Sequence, residues 1–511
     1  MYRNRGVLAT SNPESFQRCN LRPVVNGATI TSLTYLIVMM VTPAGRASVP
    51  LSEVRPSRAH GTPVYSPAPT KRGQRILLVT GTFAPEMKVG ALRTERLART
   101  LTEAGHDVTV LAPRIPSDAG AHRPSDVARR VVTVDVGDRY ATRMLRFLKR
   151  LGLAPAKRDG EGSVGTVTGN NRKPWAAPWS LREFVMALTA VPDLDQNYIL
   201  PALLKARSWN PGDFDMVYSS APPFAVHVAA ERIAQRLGAP LVLEYRDPWN
   251  HEYTERIATR YALTRRVDRW LEHRCIRAAR DVVAVSEGAA DILRRMPGSP
   301  PVHLSLNGIP GALLDEPRSA REGPLTILYA GALYQQRDPE PFLVALSAVV
   351  QRRGWSPDRL RLDFLGECRR FNGSSVEELV VRLGLEQHVR FTDRVPHDEA
   401  VRALAGADLL LLLVKGQPTQ IPNKLYDYLA MRVPIIAYSD PDTEGETARM
   451  LNEAGGHLVV TDQDATGQAD ALETLIAKRM AERNVPVGDT TVLDRWRSER
   501  QMNQLLESLS L

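Results

Sequence analysis

Lys424 stands in the segment Ile421-Pro-Asn-Lys-Leu-Tyr-Asp427, at the start of an expected helix. A helix N-terminus presents unpaired N–H groups and the positive end of a dipole, which attract phosphate. A lysine there otherwise opposes that dipole, so the placement points to an anionic ligand. Gly90 lies in a loop after the first apolar strand, where glycine lets backbone approach a diphosphate closely. Arg246 and Asp247 follow the strand Leu241–Tyr245 at its carboxyl edge. A carboxylate at such an edge can accept a proton or steady a developing positive charge. Gly331 ends a further apolar strand, and Arg337 lies six positions beyond it. Arg93, on the helix after Gly90, is expected to face the same cleft, whereas His227 reads as a helix-face residue rather than a catalyst. The chain has no GxxxxGK[ST] loop, no GxSxG elbow and no HExxH pair. The loop after the first strand lacks a close GxGxxG, which argues against a dinucleotide dehydrogenase. No Asp/Asn/His cluster reads as a metal site, so no metal is expected.

These residues need a scaffold, and the apolar pattern supplies one. Short buried strands at 76–80, 107–112 and 131–136 alternate with a helix over 91–104. The pattern resumes with strands at 214–219, 240–245 and 281–285 and helices at 224–237 and 265–279. A polar segment near Leu306-Asn-Gly308 reads as an interdomain boundary. The cycle restarts with strands at 325–330, 360–365, 389–391, 408–413 and 434–438, with helices at 340–353, 376–383, 399–405 and 423–430 between them. A last helix is expected over 492–509. Strand–helix–strand units of this length imply parallel sheets. The expected fold class is therefore α/β, with two Rossmann-like doubly wound domains facing across a cleft. The expected boundaries are an extension over 1–73, an acceptor domain over 74–315 with an insertion over 139–200, a donor domain over 316–490, and a C-terminal helix over 491–511 that packs back on the first domain. Ligands of such sheets bind at the carboxyl ends of the strands, which places the site between the domains.

The charge is uneven. The chain has 511 residues and a net charge of +9, yet nine bases and two acids in residues 1–73 give that segment +7. The body is nearly neutral, so the chain does not read as a nucleic-acid binder. Residues 23–45 are uncharged but diluted by Asn26, Gly27 and several Thr and Ser. Three readings stand for the extension: disordered or wrongly assigned sequence, a membrane anchor, or a cleaved signal. Cys19, Cys275 and Cys368 are far apart, which excludes a disulfide scaffold or a cysteine-built zinc site. Arg139, Arg143, Arg146 and Arg150 fall on one helical stripe opposite Tyr140, Met144, Phe147, Leu148 and Leu151. Such a basic amphipathic helix suits either an anionic membrane surface or an ordinary solvated face.

Residues 75–112, RILLVTGTFAPEMKVGALRTERLARTLTEAGHDVTVLA, resemble the opening of the family-4 glycosyltransferases of GT-B fold. Phe214–Asn250 resembles a subgroup with an S-x-P-P turn and an R-D-P-W strand end, and Arg265–Gly308, Thr326–Arg337 and Arg390–Ala437 continue the likeness. The resemblance implies sugar transfer from a nucleotide-diphosphate sugar to an acceptor hydroxyl, with retention at the anomeric carbon and no metal or cofactor. It implies that Gly90, Gly331, Arg337 and Lys424 bind the donor diphosphate and that Asp427 holds the donor ribose. Asp247, with Arg246, is expected on the catalytic side. Two positions depart from the pattern: Ala332 replaces the arginine that commonly follows the glycine, and Thr419 replaces the first glutamate of the motif that Asp427 ends. The expected partners are a nucleotide sugar, a glycan or lipid-linked acceptor of bacterial-type polysaccharide synthesis, and an anionic membrane surface. The expected location is the cytoplasm, at the inner face of the membrane if peripheral. A GT-B sugar-nucleotide epimerase and a binding-only GT-B scaffold remain as alternatives.

Overall fold

The computed structural model describes residues 73–84, 89–114, 130–140, 142, 143, 146, 187–250, 261–316, 322–334, 336–417, 419–439, 445–461 and 465–511. The extension over 1–73 lies outside this set except for Gly73. So does most of the 139–200 insertion, including Arg150, Met144, Phe147, Leu148 and Leu151 of the expected basic helix.

Seven strands form the first sheet: β1 (Arg75–Thr80), β2 (Asp107–Pro113), β3 (Arg130–Val134), β4 (Met216–Ala221), β5 (Leu241–Tyr245), β6 (Asp281–Ala284) and β7 (Val302–Leu304). Their order is β3-β2-β1-β4-β5-β6-β7, and every pairing is parallel. The second sheet contains β8 (Leu325–Ala330), β9 (Leu360–Leu365), β12 (Val389–Thr392), β13 (Leu409–Leu413), β14 (Ile435–Tyr438) and β15 (Leu458–Val460) in the order β12-β9-β8-β13-β14-β15. It too is parallel throughout. A small antiparallel hairpin, β10 (Arg370–Phe371) and β11 (Ser374–Ser375), stands apart. Parallel strands covered by helices on both faces are apolar all along, and β13 is five buried leucines in succession. The strand order reverses at β1/β4 in the first sheet and at β8/β13 in the second, which are the switch points where such sheets hold ligands.

Eight helices matter for the site: α1 (Val89–Glu103), α2 (Ala225–Leu237), α3 (Ala262–Ala278), α4 (Glu287–Arg294), α5 (Glu340–Arg353), α6 (Asn423–Ala430), α7 (Glu446–Ala454) and α8 (Ser498–Ser508). The single helix expected over 492–509 is in fact two, Thr490–Arg495 and α8. The break has a backbone cause. Ile309 N–H donates to the Trp496 carbonyl at 2.7 Å, and Ser498 N–H donates to the Ile309 carbonyl at 2.9 Å. Two crossing strands of chain thus bridge between the sheets at Ile309 and Arg497. Gly308 makes the crossing tight: its φ is +77°, and a Cβ there would lie 2.5 Å from the Ser498 Cα. Beyond the crossing, Met502, Leu505, Leu506 and Leu509 pack into the apolar cluster of Ile76, Leu78, Leu97 and Leu101 on the first sheet.

Below the crossing lies a buried ion pair. Arg93 of α1 is 2% exposed, and Glu244 of β5 is fully buried. Nε and Nη2 of Arg93 donate to Glu244 Oε2 at 3.0 and 2.9 Å. The remaining guanidinium hydrogens go to the Ser305 and Leu306 carbonyls, each at 3.0 Å, and to Asn307 Oδ1 at 3.2 Å. Tyr218 and Ser220 hydroxyls donate to the same carboxylate at 2.8 and 2.6 Å. Burial pushes the Glu244 carboxyl up, but Arg93 and the two hydroxyls outweigh it and hold it below the ordinary carboxylate range. Arg93 therefore does not face the cleft; it anchors residues 305–307, which lead into the crossing. Removing one member of a buried pair leaves the other charged and unmet, at a cost of about 3–5 kcal/mol. Glu244→Ala should lower the thermal unfolding midpoint by several degrees, and Arg93→Met/Glu244→Leu should lower it less. A single variant as stable as the parent chain would show the pair to be dispensable.

Candidate functional site

At the carboxyl end of β8, the second sheet collects positive charge. Gly331 has a φ of +137°, and a Cβ there would come within 3.3 Å of Lys424 Nζ. Lys424 reaches back from the first turn of α6, with Nζ 4.2 Å from the Tyr329 ring centroid and 3.4 Å from the Ala330 carbonyl. Arg337 stacks on the Tyr334 ring at 4.2 Å, and its Nε is buried with no hydrogen-bond partner. Burial first, and then the Arg337 charge, push the Lys424 ammonium down to about 7. Among the described residues neither cation makes an ion pair, and an incoming diphosphate would supply the counter-charge. Asp427 lies on the next turn of α6. Burial pushes its carboxyl up to about 6, with His397 and Arg96 opposing the rise. Arg96 belongs to α1 of the first lobe, so Asp427 senses charge from the facing lobe.

The first lobe contributes a matching strand end. Arg246 N–H donates to the Ala221 carbonyl at 2.9 Å, and Arg246 Nη2 donates to the Pro222 carbonyl. The two segments Ser220-Ala-Pro-Pro223 and Arg246-Asp-Pro-Trp249 thus hold each other. Gly90 is the first-turn residue of α1 that makes room: a Cβ on it would collide with the Arg246 guanidinium at 1.6 Å. The structure therefore gives Gly90 a packing duty toward Arg246. Burial pushes the Asp247 carboxyl up to about 6, against the lowering influence of Arg246. His227 is fully buried, its Nδ1 2.8 Å from the Ser219 hydroxyl, and burial pushes it down to about 3.

Three contacts join the lobes at this seam. Gln420 Nε2 donates to Asp247 Oδ1 at 3.0 Å. The Ser286 hydroxyl donates to the Thr419 carbonyl at 2.7 Å. Glu446, the first residue of α7, accepts from the N–H groups of Glu287 and Gly288 at the start of α4, the former at 2.9 Å. A carboxylate at a helix N-terminus is well placed electrostatically. Gly288 keeps this approach close, since a Cβ would lie 2.7 Å from Glu446 Oε1 and 3.0 Å from the Thr419 Cα. Thr419, which stands in place of a motif glutamate, serves the lobe contact through its backbone. Gln420 and Glu446 escaped the sequence reading. Nothing in their spacing marks them, because their partners lie 173 and 158 residues away. Glu244 did carry a signal, as a lone acid inside an apolar strand. Among the described residues, no group of three or more His, Cys, Asp or Glu is placed to hold a metal ion.

Two parallel-sheet α/β lobes with charged groups at their facing strand ends define a GT-B fold. Solved structures share it. The sucrose-phosphate synthase of Thermosynechococcus elongatus aligns with a TM-score of 0.51 at 16% identity, covering 86% of this chain and 99% of that one. Anabaena HepE in complex with UDP-glucose aligns with a TM-score of 0.51 at 14% identity over 86% and 99%. The trehalose 6-phosphate synthase of Burkholderia multivorans aligns with a TM-score of 0.50 at 14% identity over 86% and 98%. No curated protein matches the sequence. Residues 90–308 match the family of the glycosyl transferase 4-like domain, and residues 324–478 match glycosyl transferases group 1. Both matches are to glycosyltransferase families, and together they take in most of the chain.

The lowered Lys424 value makes a signed prediction. Burial and the Arg337 charge push the ammonium from its ordinary 10.5 down to about 7. A bound diphosphate restores the charge, so binding above about pH 7 takes up a proton and weakens as pH rises. Calorimetry at about pH 8 in buffers of different ionisation heat should register this uptake. Lys424→Ala should abolish the uptake and raise the donor KM; unchanged proton linkage would remove Lys424 from the diphosphate.

Proposed function

We propose that this glycosyltransferase moves a hexosyl or related sugar from a nucleotide-diphosphate sugar to an acceptor hydroxyl, with retention at the anomeric carbon. One observation carries the reading: Arg337 and Lys424 converge on the carboxyl end of β8, at the switch point of the second sheet. As the diphosphate leaves, negative charge grows on its oxygens, and two preplaced cations stabilise it. This chain's own cations meet that charge, so no metal is invoked. Asp427, one turn along α6, accepts hydrogen bonds from the donor ribose. Gly331 leaves room for the diphosphate beside Lys424.

On the facing lobe, Asp247 receives the acceptor hydroxyl or steadies positive charge at the anomeric carbon. Its raised carboxyl suits proton exchange near neutral pH. Arg246 positions Asp247 by tying the strand end to the Pro222 turn. The paired Ser220-Ala-Pro-Pro223 and Arg246-Asp-Pro-Trp249 segments support placing the chain in the subgroup that carries both. The acceptor is a lipid-linked or cell-surface glycan precursor of bacterial-type polysaccharide synthesis, met at the inner face of the membrane.

A thermal-shift and calorimetric panel of UDP-, GDP- and ADP-sugars tests the donor half. UDP-sugars come first, because HepE has been captured with UDP-glucose. A stabilising shift with one nucleotide class is expected; silence across the panel would sink the proposal. A product assay with and without acceptor then separates transfer from epimerisation. Asp247→Asn should reduce kcat by about a hundredfold or more while leaving donor binding intact. Full turnover by that variant would move the catalytic role elsewhere.

A further inference from the structure

We infer that the outward face of α3 docks on an anionic lipid surface; the inference rests on the reading that the acceptor is membrane-held. The basic stripe at Arg139, Arg143 and Arg146 is a weaker candidate than it looks in sequence. Arg139 pairs with Asp195 at 2.8 Å, and Arg146 pairs with Asp138. Two of its three described arginines are thus neutralised by the protein itself.

Helix α3 is different. Leu263, Arg266, Trp270 and Arg277 recur at spacings of three, four and seven, and Arg269 flanks them. All five are exposed, with Leu263 at 55% and Trp270 at 44%. The helix's two acids point the other way and are consumed inside: Asp268 accepts from Trp249 Nε1 at 2.9 Å, and Glu272 accepts from Asn250 Nδ2 at 2.8 Å. Arg266, Arg269 and Arg277 make no ion pair among the described residues. The guanidinium of Arg274, which forms an ion pair inward with Glu231 at 3.0 Å, lies over the Trp270 ring at 4.9 Å and steadies it.

A helix normally turns its acids and bases outward and its apolar residues inward. Here the acids are withdrawn, the arginines stand unpaired, and a tryptophan and a leucine stand among them. Unpaired cations complement anionic headgroups, and an exposed indole beside an aliphatic side chain suits the boundary between headgroup and acyl chain. The face also reaches the segment that follows Asp247 in the chain. Arg269 lines a cavity of about 170 Å³ together with Pro248 and Trp249, which directly follow Asp247. A membrane against α3 brings its lipid-linked cargo to the turn that ends in Asp247.

The test is sedimentation of the whole chain with vesicles, in the absence of donor and acceptor. Vesicles of mixed phosphatidylglycerol and phosphatidylcholine should pellet the chain at low salt, and phosphatidylcholine alone should not. Arg266→Glu/Arg269→Glu should weaken partitioning by about tenfold or more, at about a few-fold change per removed arginine. Trp270→Ala should weaken it at unchanged charge, and Arg143→Glu should leave it near the parent value. Raising salt should release the chain. No binding to anionic vesicles, equal binding to both vesicle types, or undiminished binding by the folded double variant would each overturn the inference. The last outcome would assign the interaction to another segment, such as the basic residues 1–73. Because no nucleotide sugar is present, failure here leaves glycosyl transfer standing, and failure of the donor panel leaves this result readable.

Discussion

The Arg93–Glu244 pair governs how the two lobes are joined. A charged group taken out of water survives only when every hydrogen bond it needs is met. The guanidinium meets this condition by gathering one carboxylate, two backbone carbonyls and one amide oxygen. Those carbonyls belong to Ser305 and Leu306, just before the chain crosses between the sheets. The electrostatic need of one side chain on α1 thereby fixes where the crossing begins. Gly308 then lets the returning C-terminal segment pass within contact of it, and α8 closes over the first sheet.

With the crossing set, the lobe seam follows. Every polar contact described across it uses a side chain from one lobe and either backbone or an amide from the other. Glu446 meets two N–H groups of α4, Ser286 meets a carbonyl, and Gln420 meets Asp247. The candidate catalytic carboxyl is thus touched by the donor lobe, four residues before Lys424. Burial at this seam moves Asp247 and Asp427 up to about 6 and Lys424 down to about 7. Each group is held close to losing its charge, which is the condition under which a ligand's charge or a substrate's proton counts for most.

Much of the scaffold was legible residue by residue. The strands at 325–330 and 360–365 and the helices at 340–353 and 423–430 were bounded as the structure has them, because uninterrupted apolar runs and clear turn residues leave few options. Where local pattern and tertiary demand diverged, the reading erred. The strand expected at 214–219 runs from Met216 to Ala221, and Asp215 just before it pairs with Arg75 at the start of β1. The C-terminal helix breaks at Arg497 because backbone 188 positions away claims its hydrogen bonds. β15 leaves no mark in the local pattern, because its three residues are too few for a period to show.

The sequence by itself determined the alternation of strand and helix, the doubling of that alternation, and the positions of Lys424 at a helix start, Asp247 just past a strand end and Arg337 in the loop after another strand. These are local properties: apolar periodicity, turn residues and the ends of short runs. Only the tertiary structure decided that Arg93 is an internal anchor, that Gly90 makes room for Arg246, that Glu446 caps a helix of the other lobe, and which basic helix keeps its arginines unpaired. Burial and pairing depend on residues distant in the chain, so the charge state of a side chain is a property of the fold and not of its neighbours in sequence.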